Sequence, residues 1–330
     1  NCILRKAVLR LRITMNKDSK IYVAGHRGLV GGAIMRRLES GGYTNVITRT
    51  HSELDLTNQA AVNAFFASEK PEYVFLSAAK VGGIGANSAY PAEFIYQNMM
   101  IGFNVVHAAY KNGATKLLNL GSSCIYPKMA PQPMKEEYLL TGALEPTNDA
   151  YALAKISVIK LCNSYNRQYG TNYLSVMPTN LYGPGDNYDL AGSHVLPAMI
   201  RKFHEAKASG KDEVTLWGDG SPFREFLYSD DLADAVVYLM ENKDAQDLGD
   251  FVNIGTGVDL TIKRLAETVR DVVYADANGR SCRIVWDSSK PNGTPKKLLD
   301  VTRLSSLGWK PKTEFVEGIR VSYRDFVNKQ

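Results

Sequence analysis

The sequence predicts an α/β protein built on a doubly wound parallel sheet. Apolar segments of four or five residues alternate with longer segments of helical periodicity up to Gly185, an order typical of parallel sheets. A glycine-rich turn follows the first apolar segment, and polar or reactive side chains follow later ones. Ligands bind at the carboxyl ends of strands in such sheets, so these positions predict a binding site.

The first predicted strand, Ile21–Ala24, runs into three glycines spaced G-x-x-G-x-x-G and then into a helix. Strand, glycine turn and helix together are typical of dinucleotide binding, because glycines let the backbone approach a pyrophosphate at the helix N-terminus. A plain tight turn is the alternative. We therefore predict a Rossmann-like domain over residues 21–185, and the expected cofactor contacts in this turn are Gly25, Arg27, Gly28, Leu29, Val30 and Gly31.

The end of the second predicted strand, Asn45–Thr48, indicates which dinucleotide binds. An NAD site usually has Asp or Glu at this point to hold the ribose 2′-hydroxyl. Here the chain has Arg49, and Arg27 lies in the glycine turn. Two guanidinium groups suit a 2′-phosphate, which predicts NADP(H), unless Arg49 is merely a solvated strand end.

Three further strands continue the sheet: Tyr73–Ser77, Lys116–Leu120 and Tyr173–Met177. Helices are predicted around them at Gln59–Glu69, Phe94–Lys111 and Ala150–Tyr169. Small or polar residues follow the strands, where a cofactor can lie against the backbone. The cofactor contacts expected at these strand ends are Ala78, Leu120, Gly121, Pro178, Asn180 and Leu181.

Tyr151 and Lys155 lie four residues apart in the last of these helices and therefore on one face. A nearby ammonium group favours the phenolate, so we expect Lys155 to lower the pKa of Tyr151 and make it a proton shuttle. Ser122, after the strand Lys116–Leu120, is placed to hydrogen-bond a substrate oxygen. The alternative is an exposed helix that carries Tyr and Lys by chance.

Beyond Gly185 the sequence becomes polar and turn-rich, which predicts a second domain over residues 186–330. A segment around residues 225–257 is expected to return to the first domain. The predicted elements are a helix opening at residues 193–197, strands at 214–217, 251–255 and 283–286, a helix at 230–240 and a loop at 290–297.

Composition limits the alternatives. The chain has 330 residues, 45% of them hydrophobic, and no apolar run long enough to span a membrane. Its four cysteines lack C-x-x-C spacing, which favours neither a metal site nor a disulfide framework and fits the reducing cytoplasm. Residues 1–20 carry six basic residues and one acid, which account for the net charge of +5, so no nucleic-acid partner is expected. We expect residues 1–20 to be an extension, disordered or extraneous.

Taken together, the glycine turn, Ser122 and the pair Tyr151–Lys155 resemble the extended short-chain dehydrogenase/reductases that act on nucleotide sugars. The resemblance spans residues 21 to about 325. It departs from the usual pattern at Asp149-Ala150, at His51 and at Asn292, and the last of these positions bears on one sugar or base contact. The supporting segments are residues 24–31, 79–83, 96–100, 121–128, 145–148, 177–184, 193–194 and 298–303.

Within that family the resemblance implies epimerisation at C3 and C5 of GDP-4-keto-6-deoxy-D-mannose, followed by reduction at C4 with NADPH. Inversion of a carbon centre needs a base and an acid besides the reducing pair. Cys124 and His194 are the candidates, and His194 and Lys155 are also expected cofactor contacts. The alternatives are a packed core thiol for Cys124 and a helix-start residue for His194.

The resemblance also implies the residues that hold the GDP-sugar: Ser122, Asn180, Lys202, Trp217, Arg224 and Lys297. Cations suit a diphosphate, and an indole suits stacking on a base or sugar. The alternatives are a core position for Trp217, solvated surface for Lys202 and Lys297, and an ion pair between Arg224 and Glu225. The family further implies a homodimer paired through Phe94–Lys111 and Ala150–Tyr169.

Two other functions remain open from the residues. A dehydratase or 4-epimerase is one, although a dehydratase normally has Asp-Glu after its Ser or Thr, and here Ser122 is followed by Ser123-Cys124. A redox-silent NADP-binding regulatory protein is the other, although silent members tend to lose the Tyr or Lys that this chain retains.

Overall fold

The structure, a computed structural model, describes residues 14–190, 192–290 and 292–330. The described residues form twelve strands, which are β1 (Ile21–Ala24), β2 (Val46–Ile47), β3 (Tyr73–Leu76), β4 (Lys116–Leu120), β5 (Tyr173–Pro178), β6 (Asn180–Tyr182), β7 (Glu213–Trp217), β8 (Phe223–Tyr228), β9 (Val252–Ile254), β10 (Asp259–Thr261), β11 (Arg283–Asp287) and β12 (Lys296–Lys297). The α-helices are α1 (Leu29–Ser40), α2 (Gln59–Glu69), α3 (Ile84–Ala89), α4 (Pro91–Lys111), α5 (Asp149–Tyr169), α6 (Val195–Ser209), α7 (Ser229–Asn242), α8 (Ala245–Leu248), α9 (Ile262–Val273), α10 (Thr302–Ser306) and α11 (Phe315–Asn328).

The main sheet is parallel throughout, with its strands in the order β2-β1-β3-β4-β5-β9. Alternate side chains of each strand face opposite sides, so Ile21 and Val23 pack against α1 and α7, whereas Tyr22 packs against α2. The sheet is therefore covered on both faces, which explains why its strands read as continuous apolar segments. The predicted doubly wound α/β fold is confirmed.

The second half of the chain is organised around β8. Strand β10 pairs with β8 antiparallel, whereas β12 and β6 pair with it in parallel, and β11 pairs with β7 separately. A second core lies between these strands and the helices α6, α9 and α11. Strand β9 returns to the main sheet, where Val252 lies opposite Val176 of β5.

Several local predictions need correction. Residues 180–182 form strand β6, which was not predicted, and the predicted loop at 290–297 ends in strand β12. These strands have only three and two residues, too few to show a periodic pattern in the sequence. Their pairing with β8 depends on tertiary contacts that the sequence does not reveal. Helices α9 and α11 were not predicted from the sequence.

The N-terminal boundary also needs correction. Met15 is only 3% exposed and belongs to the core under α1 and α7. The carbonyl of Lys17 accepts the backbone N–H of Thr44 at 2.9 Å. Residues 15–20 are therefore part of the fold rather than of an extension, whereas residues 1–13 lie outside the described part.

Candidate active site

The glycine turn after β1 forms a cradle that side chains would fill. Gly25 has φ of +82°, and a Cβ atom there would lie 2.7 Å from the backbone nitrogen of Ala78. A Cβ atom on Gly31 would lie 2.1 Å from the Gly25 carbonyl oxygen. Helix α1 begins directly after Gly28 with no side-chain cap, so its first amides can bind an anion. The cradle therefore fits the pyrophosphate of a dinucleotide.

Arg27 and Arg49 are both within electrostatic reach of Glu53. Hydrogen bonds from Thr50 lower the pKa of the Glu53 carboxyl most, and the two guanidinium groups lower it further. Arg27 is exposed, whereas Arg49 donates to Glu69 at 2.6 Å and lies 5.2 Å from the Phe65 ring centroid. Arg49 is thus held in place rather than being a solvated strand end.

The other predicted cofactor contacts line the carboxyl edge of the main sheet. Ala78 follows β3 and its backbone lies directly against Gly25. Gly121 follows β4, and its backbone N–H donates to the Val176 carbonyl at 2.7 Å. Leu120 and Pro178 are buried at the ends of β4 and β5, and the half-buried Leu181 packs against the core under α1. The sheet thus brings these predicted positions to one edge.

Two asparagines that the sequence did not predict hold the loop after β3. The buried side chain of Asn98 bonds both the N–H and the carbonyl of Lys80, at 2.9 and 3.0 Å. Asn87 donates to the carbonyls of Gly82 and Gly83 at 2.8 and 3.1 Å. Asn98 lies in a segment that carried the family resemblance, but its bonding partner, 18 residues away, is visible only in the structure.

Tyr151 and Lys155 project from α5 toward the end of β4, and each is 8% exposed. The Lys155 Nζ atom donates to the Leu120 carbonyl at 2.9 Å and lies 5.9 Å from the Tyr151 ring centroid. The two side chains therefore share one buried face, and Lys155 is fixed by backbone rather than by another side chain.

The prediction that the pKa of Tyr151 is lowered is wrong. Burial raises the pKa of Tyr151; the Cys124 thiol acts in the same direction, and a hydrogen bond with Ser122 opposes them. Burial also lowers the pKa of Lys155 to about 8. Tyr151 thus keeps its proton near neutral pH, which suits a proton donor.

Cys124 is half-buried between a core cluster and a cleft. Its Sγ atom lies 3.1 Å from the Ser122 Oγ atom, and it lines a cleft together with Lys128, Glu145 and Lys297. Lys128 and Glu145 form an ion pair of 3.1 Å across this cleft. Cys124 thus packs against a core cluster on one side and lines the cleft on the other, so its role as a base stays a prediction.

His194 lies directly before the first residue of α6. Its side chain does not cap the helix, and although the residue is exposed, neighbouring protein lowers its pKa by desolvation. The preceding residue approaches the loop after β3, because a Cβ atom on Gly83 would lie 3.8 Å from the Ser193 carbonyl oxygen. No hydrogen bond within the described ranges joins His194 to Cys124.

Four of the six predicted sugar-nucleotide contacts lie on β8, β12, β7 and α6. Arg224 and Lys297 lie opposite each other in paired strands. Burial lowers the pKa of both side chains, and the charge of Arg224 lowers the pKa of Lys297 further. Lys202 is half-buried and donates to the Thr215 carbonyl at 3.1 Å. Trp217 is 65% exposed, with the Lys290 ammonium 5.8 Å from its ring centroid. The interpretations of Trp217 as core and of both lysines as solvated surface are therefore wrong.

Arg224 does not pair with Glu225. Adjacent residues of a strand point to opposite faces, and the Glu225 carboxylate accepts backbone amides instead. Asn180 donates from its side-chain nitrogen to the Glu225 carbonyl at 2.8 Å. Asn292, which departs from the family pattern, accepts the Asp219 N–H at 2.9 Å through its side-chain oxygen, a bond that a carboxylate would also make.

The described residues contain no group of three or more His, Cys, Asp or Glu side chains arranged to hold a metal ion. Within the same part of the chain, no helix is both long and apolar enough to cross a membrane. The site is thus built from a glycine cradle, a buried Tyr–Lys pair and a cation-lined cleft.

These features are those of an enzyme that binds a dinucleotide cofactor, and comparison with known proteins agrees with this class. Residues 21–255 match the NAD dependent epimerase/dehydratase family, so the chain belongs to this family. It is 58% identical to "Probable GDP-L-fucose synthase 1" of Oryza sativa subsp. japonica, over 94% of this chain and 93% of that one. It is 54% identical to the GDP-L-fucose synthase of Escherichia coli strain K12, over 94% of this chain and 97% of the relative.

A solved structure is similar over nearly the whole chain. It is a GDP-D-glycero-L-gluco-heptose synthase from Campylobacter jejuni, determined in the presence of NADPH, with 41% identity and a TM-score of 0.89. The match covers 95% of this chain and 99% of that chain. The similarity therefore includes both the main sheet and the second half of the fold.

Proposed function

We propose that this chain is an NADP-dependent enzyme that converts GDP-4-keto-6-deoxy-D-mannose into GDP-L-fucose, by epimerisation at C3 and C5 and reduction at C4. One observation carries the proposal. Ser122, Cys124, Tyr151 and Lys155 meet at the carboxyl end of β4, and Cys124 also lines the cleft of Lys297. The relatives named GDP-L-fucose synthase support the same reaction.

The reducing half of the reaction falls to Tyr151, Lys155 and Ser122. When bound, NADPH supplies the hydride. Tyr151 gives its proton to the C4 oxygen, a role that fits a buried phenol whose pKa is raised. Lys155, fixed by the Leu120 carbonyl, stabilises the phenolate that forms, and Ser122 holds the same substrate oxygen.

The epimerising half falls to Cys124 and His194. The C4 carbonyl acidifies the protons at C3 and C5, and inversion requires removal from one face and return to the other. Cys124 is the base, because its thiol lies 3.1 Å from the Ser122 hydroxyl and lines the cleft beside the expected position of the substrate carbonyl. His194 returns the proton on the other face, and the lowering of its pKa by desolvation favours release of that proton.

The decisive experiment incubates the protein with NADPH and GDP-4-keto-6-deoxy-D-mannose. We expect the absorbance of the reduced cofactor to fall and NMR of the product to show GDP-L-fucose. A folded sample that oxidises no NADPH would refute the proposal, and a product that has lost water would favour the dehydratase. Binding of NADPH without turnover would favour the regulatory protein.

We also propose that the chain forms a homodimer through α4 and α5. These helices pack side by side, and their outer faces expose large apolar residues that a second copy would cover: Tyr96, Phe103, Leu153 and Tyr169. Light scattering should give twice the monomer mass at micromolar concentration, and Phe103→Glu should lower it. A monomer mass for the unaltered chain would contradict this proposal.

We place the reaction in the cytoplasm. The three cysteines that the structure describes are unpaired, which fits a reducing compartment. Fractionation of the source cells, with activity assayed in each fraction, tests this placement.

A further inference from the structure

Glu225 is a fully buried acid at the centre of the second half of the fold. It is 0% exposed, and among the described residues no Lys or Arg forms an ion pair with it. Its carboxylate instead accepts three backbone N–H groups. One oxygen accepts Thr256 and Gly257 at 2.6 and 2.7 Å, and the other accepts Leu299 at 3.0 Å. A buried carboxylate is costly, so three amide donors are needed to hold it there.

These bonds join three parts of the chain that are distant in sequence. Leu299 lies two residues after Lys297, and Glu225 directly follows Arg224. The Glu225 backbone carbonyl also accepts the side chain of Asn180 at 2.8 Å. Glu225 therefore links three residues that are expected to hold the sugar nucleotide.

The turn over the carboxylate is closely fitted. A Cβ atom on Gly255 would lie 2.3 Å from the nearer Glu225 carboxylate oxygen. No side chain fits at this position while the carboxylate is in place, so the segment that leaves β9 is shaped around Glu225. The acid thus fixes the junction between the main sheet and the strands around β8.

We propose that Glu225 is a positioning residue for GDP-sugar binding: by anchoring Leu299 and the 256–257 turn to β8, it sets the places of Arg224 and Lys297 in the cleft. The proposal rests on the proposed function for the identity of the sugar nucleotide. It assigns Glu225 no contact with the substrate and no proton transfer.

Glu225→Gln separates the two anchors. The amide oxygen can still accept Thr256 and Gly257, but the amide nitrogen is a donor and would face the Leu299 N–H. Two opposed donors repel, so the segment that carries Lys297 is released while the turn stays bound. Affinity for the diphosphate should fall, and the glycine cradle should be unaffected.

The test uses GDP as the probe, with binding measured by calorimetry on the full chain. We expect Glu225→Gln to bind GDP about tenfold more weakly and to bind NADPH within twofold of the unaltered protein. Asp231→Asn is the matched control, because Asp231 is also a buried acid and accepts the N–H of Thr313 at 2.9 Å, outside the cleft. It should lower the melting temperature without changing the affinity for GDP.

Unchanged GDP affinity in Glu225→Gln, with a melting temperature lowered as in Asp231→Asn, would overturn the proposal. If Glu225→Gln does not fold, Glu225→Asp decides, because it keeps the charge but shortens the reach. GDP binding weakened threefold or more in that variant supports the proposal, and unchanged binding refutes it. GDP binding does not depend on turnover, so failure of the proposed reaction would be recognised separately in the NADPH assay.

Discussion

The two halves of the candidate active site are built in different ways. The cofactor half is formed by backbone, from a turn of seven residues that starts at Gly25 and from the strand ends beside it. The substrate half is formed by side chains on β8, β12 and α6. Arg224 and Lys297 come together only through strand pairing, and Lys202 is held by the Thr215 carbonyl of β7. Glu225 and its three amide bonds maintain that pairing.

This difference decides how each half responds to change. Where backbone atoms leave no space, a single Cβ atom is enough to block the ligand. Where side chains from distant segments converge, removal of one group weakens binding but leaves the others in place. Four predictions test this contrast, starting with the chemistry that takes place between the two halves.

The largest effects are expected at Tyr151 and Cys124. Tyr151→Phe should slow NADPH oxidation by ~10²–10⁴-fold, because the C4 oxygen loses its proton donor. Exchange of the C3 and C5 protons into deuterated water should continue. Cys124→Ser should do the reverse, slowing that exchange by about 100-fold or more while NADPH still binds. NMR of deuterium incorporation and cofactor absorbance measure the two steps separately.

Cys162→Ser is the matched control for the thiol, because Cys162 is buried in the core on the same helix as Tyr151. It should alter neither step, although it lowers stability. Deuterium exchange at the unaltered rate in Cys124→Ser would show that another group is the base. Cys124 would then be only a neighbour of Ser122.

The second prediction addresses the cradle. Gly31→Ala places a Cβ atom 2.1 Å from the Gly25 carbonyl oxygen, so the turn must shift and NADPH affinity should fall by about 100-fold. Gly32→Ala is the control in the next position of α1, where the nearest atom would be 3.6 Å away. Fluorescence titration with NADPH measures both variants. Equal affinities would mean that the cofactor does not approach this backbone.

The same contrast explains what could be predicted from the sequence. The main sheet and the glycine turn were predicted correctly because strand periodicity and the steric need for glycine are local properties. Strands β6 and β12 were missed because two or three residues show no period, and their pairing depends on β8. The roles of Asn98 and Glu225 were also missed, since a buried polar residue is recognised only from partners 18 to 74 positions away.

The third prediction concerns the choice between NADPH and NADH. Arg49 is held by Glu69, and both Arg49 and Arg27 act on the Glu53 carboxyl, so we expect both to contact a 2′-phosphate. One charged hydrogen bond is worth ~1.5–3 kcal/mol, so Arg49→Ala should reduce the preference for NADPH by ten- to a hundredfold. The measurement is the ratio of kcat/KM values for the two cofactors. An unaltered protein that uses both cofactors equally well would contradict this assignment.

The smallest effect near neutral pH is expected from the titration of Lys155. Burial lowers the pKa of its ammonium to about 8, so the group is charged below that pH and neutral above it. The charged form stabilises the Tyr151 phenolate, and therefore kcat/KM for the keto sugar should fall by half at about pH 8 and by about tenfold at pH 9. Deprotonation of Tyr151 does not account for this fall in kcat/KM, because burial raises the pKa of its phenol. In Lys155→Arg the guanidinium stays charged throughout this range, so the fall in kcat/KM above pH 8 should disappear even if the rate is lower. A value of kcat/KM that stays constant from pH 7 to 9.5 would show that reduction does not require the charge on Lys155.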